Sequence, residues 1–306
     1  MSNVQIAERS LTQAAGAERR LSDRRVAPFS IASTDSLPFG ERRVSGERRR
    51  SRFLNWKRNV IGGLPIVVAD RTETARAMVD EALKRRGLWR YPAYMTSTNG
   101  EVTYRCAVDP AEHAMFLQAD AIHADGMPHV FVSRFKCDVP LPERVATTDL
   151  FHDVAREAIA RGATMFMLGA SEESNRRAAE LVARRYPDLK LIGRRNGFFA
   201  DQDEEVVACR QIAELAPDIL WVSMGVPREQ LFIGRNRHRL ATVGVIKTSG
   251  GLFDFLSGSK PRAPKWMQHL GLEWAWRMAL EPRRLGMRYL KTNPYAMYLL
   301  LTQTMR

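Results

Sequence analysis

The sequence predicts a doubly wound α/β fold, a mostly parallel sheet covered by helices on both faces, followed by a helical, membrane-associating appendage at the C-terminus. Three observations predict it. Short apolar runs alternate with amphipathic stretches of helical period from about residue 59 to residue 251. A glycine or other turn former follows most of those runs. Composition then shifts on either side of this block, dividing the chain into a 1–52 arm expected to be disordered, a 53–257 core and a 258–306 appendage.

The elements follow in order. LPIVVAD (64–70) reads as a strand and 72–87 as an amphipathic helix stopped by Gly87. YPAYMTST (91–98) is strand-like and ends in polar residues, 109–119 reads as helix, and 120–126 as a short extended run. A second block opens with helix 149–161, strand 163–170 and helix 172–185. Strand 189–193 leads through the turn RRNGFF to helix 203–215, and strand 218–225, helix 227–239 and strand 241–251 complete the alternation. Strands joined by helices of this length pair in parallel through right-handed crossovers. Ligands of such sheets bind outside the carboxyl ends of the strands, so the residues after each strand carry the functional signal.

The chain has 306 residues, 45% of them hydrophobic and 26% charged, which excludes a wholly disordered chain, a disulfide miniprotein or a collagen-like fibre. Cys106, Cys137 and Cys209 lie far apart with no CxxC pair, the pattern of reduced thiols in a cytoplasmic protein. No run approaches the roughly 18–20 apolar residues of a spanning helix, and the Arg-rich start lacks the apolar centre of a secretion leader. The net charge of +13 is uneven: residues 1–52 carry 11 Arg against 6 acids, residues 258–306 carry 9 Lys and Arg against 2 acids, and the stretch between is nearly neutral. Basic ends suit an anionic membrane face, a phosphorylated substrate or nucleic acid. The neutral body and the lack of any nucleic-acid motif argue against the last, and no nucleic-acid partner is expected.

The arm reads as a solvated low-complexity segment, with Leu21, Val26 and Phe29 offering the alternative of a helix resting on acidic lipid. The appendage interleaves Trp266, Trp274 and Trp276 with basic residues on helical runs expected to break at Pro282 and Pro294. It reads either as an interfacial hairpin or as ordinary helices packed on the sheet. Peripheral attachment to the cytoplasmic face of the inner membrane is the expectation, and the apolar tail also allows a homo-oligomer.

The strand ends hold TSTNG (96–100), HADGMP (123–128), LGAS (168–171), NGFF (196–199), MGVPREQ (224–230) and SGGLFD (249–254). These place Thr98, Asn99, Gly126, Gly169, Gly197, Phe198, Gly225, Pro227, Arg228, Gln230, Gly250 and Gly251 as candidate binding residues, where small residues let backbone amides approach a ligand. Any one of these turns alone is unremarkable; six in one sheet point to a nucleotide or sugar phosphate. No GxGxxG and no GxxxxGK[ST] string is present, which argues against NAD enzymes and P-loop ATPases. Asp125, before Gly126, is the candidate for proton transfer, with a turn role as the alternative. Asp254 is a candidate acceptor of hydrogen bonds from a sugar or base. Asp201 and Asp203 read as the first turn of a helix rather than a metal-holding DxD, and with no HExxH spacing no metal is expected. Arg262, Arg277, Arg283, Arg284 and Arg288 are suited to phosphate oxygens, with lipid headgroups as the other partner.

Taken together, DGMP, PERVATTDL, LGAS, YPDLKLIGRRNGFF, PDILWVSMGVPREQ, GGLFDFLSG and RAPKWMQHLGLEWAWRMALEPRRLGMRYLKTNP resemble the TagA/WecG/CpsF family of bacterial glycosyltransferases. The resemblance runs from about Asn59 to Pro294. It implies a Rossmann-like core and inverting transfer from a UDP-sugar donor to a lipid-linked (polyprenyl diphosphate) saccharide acceptor, with no obligatory metal or other cofactor. Such enzymes act in teichoic acid, capsule and exopolysaccharide assembly. By the resemblance Asp125 matches the general base, and Thr98 and Asn99 an acceptor-side element. Arg277, Arg283 and Arg284 would meet the diphosphate. The chain departs from the family pattern at Ser97, commonly Thr, at Glu229-Gln230, and at Ile246-Lys247-Thr248-Ser249, where relatives often carry a Gly-Val-Gly run. Rival readings are a catalytically idle scaffold of a polysaccharide assembly complex and, less favoured, a basic nucleic-acid-binding protein.

Overall fold

The structure, a computed structural model, describes residues 55–305, so the expectations for the 1–52 arm lie outside the described residues. Strands β1 (Arg58–Ile61), β2 (Leu64–Val67), β3 (Ala93–Thr98), β4 (Ala121–Ala124), β5 (Thr164–Gly169), β6 (Lys190–Arg195), β7 (Ile219–Ser223) and β8 (Val245–Thr248) form one sheet. Their order is β1-β2-β4-β3-β8-β7-β5-β6. Pairing is parallel throughout except for the β1–β2 hairpin at one edge. The two halves of the winding meet where β3 pairs with β8, Met95 opposite Lys247. The doubly wound sheet expected from the sequence is the one observed.

The connections are α1 (Arg71–Arg85), α2 (Gly100–Val108), α3 (Pro110–Leu117), α4 (Met127–Lys136), α5 (Thr147–Arg161), α6 (Glu172–Arg185), α7 (Gln202–Leu215), α8 (Arg228–Asn236) and α9 (Leu252–Leu256). Strand alternation decides which face each residue joins. Met95, Met165, Met167, Trp221 and Val245 bury against α1, α5, α6 and α9. Tyr94, Phe166, Leu168, Leu220, Val222 and Ile246 bury against α7 and α8. A second patch on that face joins Ile61, Leu64, Ile66 and Ile122 to α2, α3 and α4. Each fully buried aliphatic or Phe side chain contributes about 1.5–3 kcal/mol, which suffices to hold a three-layer sandwich.

Four elements, β1, α2, α4 and the short α9, were not in the sequence expectation. β1 was not foreseen, because four residues carry too little pattern to read. Nor was α4; it starts at Gly126 with no side-chain cap to announce it. The helix expected at 109–119 is found as α3, but α2 ahead of it was not foreseen, and the two meet at Asp109. That residue ends α2 and caps α3, its carboxylate accepting from the N–H of Ala111 at 2.8 Å, with Pro110 opening the new helix.

The appendage comprises α10 (Lys265–His269), α11 (Glu273–Leu280) and α12 (Pro282–Thr302). Pro282 starts α12 as expected, but Pro294 does not break it: the helix runs through to Thr302. A proline inside a helix removes one backbone hydrogen bond, and here burial of Leu285, Tyr289, Ala296, Leu299 and Leu300 outweighs that loss. The last residues close onto the β1–β2 hairpin: Gly63 N–H donates to Gln303 O at 3.1 Å and Met305 N–H to Val60 O at 3.0 Å. The end of α12 is thus part of the core, as Leu300 beside Ile61 and Leu64 shows. Among the described residues, no helix is long and apolar enough to cross a membrane.

Candidate active site

Parallel pairing puts the segments after β3, β4, β5, β7 and β8 on one rim of the sheet. Asp125 follows β4 there and is pinned to the neighbouring strand, its N–H donating to Thr98 O at 2.8 Å. The residue keeps partial exposure. Burial of the carboxyl raises its pKa above the ordinary aspartate range; Arg144, Lys247 and Arg277 draw it down and Glu273 pushes it up. Those four groups come from the loop before α5, from β8 and from α11, so core and appendage face one carboxylate.

Arg144 donates to Glu273 Oε2 at 2.9 Å and to Gln268 Oε1 at 3.1 Å. Arg262 donates to the same Gln268 oxygen at 2.8 Å and pairs with Asp149, and it also senses the charge of Asp125. Arg277 lies over the Phe255 ring, 4.9 Å from its centroid, and its Nε is buried without a hydrogen-bond partner. Such an unsatisfied donor is costly unless a ligand takes it.

Beneath the rim, Lys247 is wholly buried. Its ammonium donates to Ser97 Oγ at 2.8 Å and to Thr248 O at 2.9 Å. Burial lowers its pKa to about 8, against the attraction of Asp125 and Glu229. Buried Glu229 accepts from Gly250 N–H at 2.9 Å and is itself raised by burial. It ties α8 to the loop after β8. At the far end of the rim, Arg228 lies 5.3 Å from the centroid of the exposed Phe198 ring, a flat cationic platform.

The model of the glycosyl transferase WecG/TagA/CpsF family matches residues 59–306. The chain belongs to that family. Similar proteins include N-acetylglucosaminyldiphosphoundecaprenol N-acetyl-beta-D-mannosaminyltransferases from three bacteria. That of Bacillus spizizenii is 32% identical over 192 residues, 63% of this chain and 73% of its own length. The Bacillus subtilis protein is 31% identical over 211 residues, 68% and 79% of the two chains, and that of Staphylococcus aureus 28% over 205 residues, 67% and 78%.

In this glycosyltransferase several sequence-derived candidates sit differently from expectation. Thr98 does not line the rim: it is fully buried and its hydroxyl lies 3.4 Å from that of Thr103, because strand alternation turns it to the α2 face. Ser97, one residue earlier, points the other way to Lys247. Asn99 is occupied as the cap of α2, accepting from Val102 N–H at 3.1 Å. Gln230 is buried beside Glu229 with its carbonyl oxygen unpartnered, beneath the surface rather than on it. Gly169 and Gly197 are required by close packing. Gly169 has φ +132°, and a Cβ there would lie 2.2 Å from Ser223 O; one on Gly197 would lie 2.9 Å from the Gly169 Cα. Gly225 and Gly250 have open space instead. Gly126, Pro227 and Gly251 take the N-cap positions of α4, α8 and α9.

Asp254 pairs with Lys260 at 2.7 Å, and Arg288 with Glu101 at 3.1 Å. Arg283 is exposed on the first turn of α12, and the side chain of Arg284 lies outside the described residues. Asp201 caps α7, accepting from Glu204 N–H at 2.8 Å, in line with the first-turn reading. Among the described residues, no group of three or more His, Cys, Asp or Glu side chains converges as a metal cage.

Sequence reasoning missed Arg144 and Glu273 as members of the site. Neither stands in a local pattern that marks chemistry; only the fold brings them to Asp125. Lys247 did have a signal, a lone cation inside the apolar run ATVGVIKTSGG of a central strand.

Proposed function

We propose that this glycosyltransferase moves a sugar with inversion from a UDP-sugar to a polyprenyl-diphosphate-linked saccharide at the cytoplasmic face of the membrane, in cell-surface polysaccharide assembly. One observation carries the reading: a single rim carboxylate, Asp125, faces cations from the core and from the appendage at once. The relatives named above, whose acceptor is a diphosphoundecaprenol-linked sugar, support the acceptor class. Asp125 accepts the proton of the incoming hydroxyl as its oxygen bonds the anomeric carbon. The bond from that carbon to the diphosphate oxygen breaks on the opposite face, and UDP leaves with the electron pair. Arg277, with its unpartnered Nε, and the open backbone at Gly225 meet the growing negative charge. Phe198 and Arg228 offer a platform for the uracil ring. No metal ion is needed in this scheme, because guanidinium groups and backbone amides balance the leaving group.

The acceptor's lipid lies in the bilayer, so the enzyme must reach the surface. Trp266 is 60% exposed, Leu290 69% and Met287 64%, with Arg283 and Lys291 beside the α12 residues. That is a surface an interfacial site uses. The test is incorporation of label from a panel of radiolabelled UDP-sugars into a short-prenyl diphosphate sugar, with and without EDTA. Transfer in the wild type and its loss in Asp125→Asn is expected; undiminished transfer by Asp125→Asn overturns the reading. Point variants serve better than truncation here, since removing the tail would also strip Leu299 and Leu300 from the core.

A further inference from the structure

A lysine enclosed in a protein interior is costly unless its charge is used. Lys247 is such a residue, fully buried at the centre of the sheet where β8 meets β3. Two of its three ammonium hydrogens are held by neutral oxygens, Ser97 Oγ at 2.8 Å and Thr248 O at 2.9 Å. Ser97 is further fixed by the Thr147 hydroxyl at 3.3 Å, at the start of α5. The residue after Ser97 accepts the backbone N–H of Asp125. The ammonium is therefore tied to the strand that positions the carboxylate.

We propose that Lys247 is a positioning residue for the transfer, a buried cation anchored through Ser97 that keeps the Asp125 carboxylate ionised and able to take the acceptor's proton. This rests on Asp125 being the base. Every charged group facing Asp125 bears on the idea. Arg144 precedes α5, Arg262 precedes α10, and Glu273 and Arg277 lie on α11. Arg144 and Arg262 are already engaged with Glu273, Gln268 and Asp149. Lys247 has no such carboxylate in hydrogen bond, and its field falls on Asp125, on Glu229 of α8 and on His123 of β4. Like Arg144, and unlike Arg277, it is a cation of the core that an appendage leaving the rim would not carry away. The base thus stays ionised whether or not the tail is docked.

The experiment is the pH dependence of kcat/KM for the full chain, with Lys247→Met, Lys247→Gln and Lys247→Arg beside the wild type and Asp125→Asn. Losing the cation should move the acidic limb of the Met and Gln profiles up by about half a pH unit or more. Their rates should rejoin the wild type within a few fold above that limb. Lys247→Arg, which keeps the charge, should leave the limb in place. A merely structural lysine would lower the rate equally at every pH, so an unmoved limb in the Met and Gln variants overturns the proposal. So does failure of both to fold, because a cation needed for folding is not one held for Asp125. Full transfer by Asp125→Asn would instead sink the base assignment, whereas an inactive Asp125→Asn with an unmoved limb sinks only the role of Lys247.

Discussion

The two ends of the sheet hold aspartates in opposite states. At the amino end, Asp218 precedes β7 and is almost fully buried, yet its carboxyl lies below the ordinary value. Burial alone would raise it, but Arg86 donates through two nitrogens at 2.8 and 2.6 Å, and Thr164 through its N–H at 2.7 Å and its hydroxyl at 2.8 Å. Asp120, before β4, is similarly enclosed by Tyr94 N–H at 2.8 Å and by Arg237. At the carboxyl end, Asp125 meets cations mainly through space and lies above the ordinary range. Burial is common to both ends; direct donors are not. A carboxylate whose lone pairs are filled stabilises the fold, and one left short of donors is available for proton transfer.

The largest test of that contrast is Asp125→Asn, which should cut transfer by about 10²–10⁴-fold. Its melting temperature should stay level or rise, since a buried charge short of donors has been removed. Arg277→Ala should follow with a loss of about 10²-fold, mostly in kcat, if its guanidinium meets the leaving group. Asp218→Ala should do the reverse. It leaves the donors of Thr164 and Arg86 without an acceptor and should cost about 2–3 kcal/mol in urea denaturation. Its kcat/KM below the unfolding transition should remain that of the wild type. A catalytic defect there would break the division between the two ends.

Acid titration sharpens the same point. The folded pKa of Asp218 lies below its unfolded value, so its stabilisation is complete above about pH 4 and is lost as pH falls through the folded value. Asp218→Asn should therefore flatten the acid side of the stability curve, measured by urea midpoints from pH 5 to pH 2. The smallest effect concerns the tail: Met287→Ser with Leu290→Ser should weaken binding to anionic vesicles severalfold in a flotation assay while leaving the melting curve in place.

Local pattern was enough for the winding. Helix 172–185 is found with those bounds, and strand 163–170 shortens by only a residue at each end, because period and end signals act within a turn or two of chain. Shorter or uncapped pieces such as β1 and α4 lacked that redundancy. Asp125 was legible too, as an acid immediately after an apolar run. Of its surroundings only Arg277 was anticipated, among the arginines set against the diphosphate; Arg144 and Lys247 were not, since no local pattern links them to it.

The sequence by itself therefore determined the order of strands and helices, the family and the rim that holds Asp125 and the strand-end turns, since periodicity, end signals and motifs are short-range. Only the tertiary structure decided that Thr98 turns inward while Ser97 meets Lys247, that Gly169 and Gly197 pack closely against neighbouring backbone, and that the proline-bearing α12 ends inside the core. Those outcomes depend on which groups arrive at one point from distant segments and on how much water they exclude. No local stretch of chain carries that information.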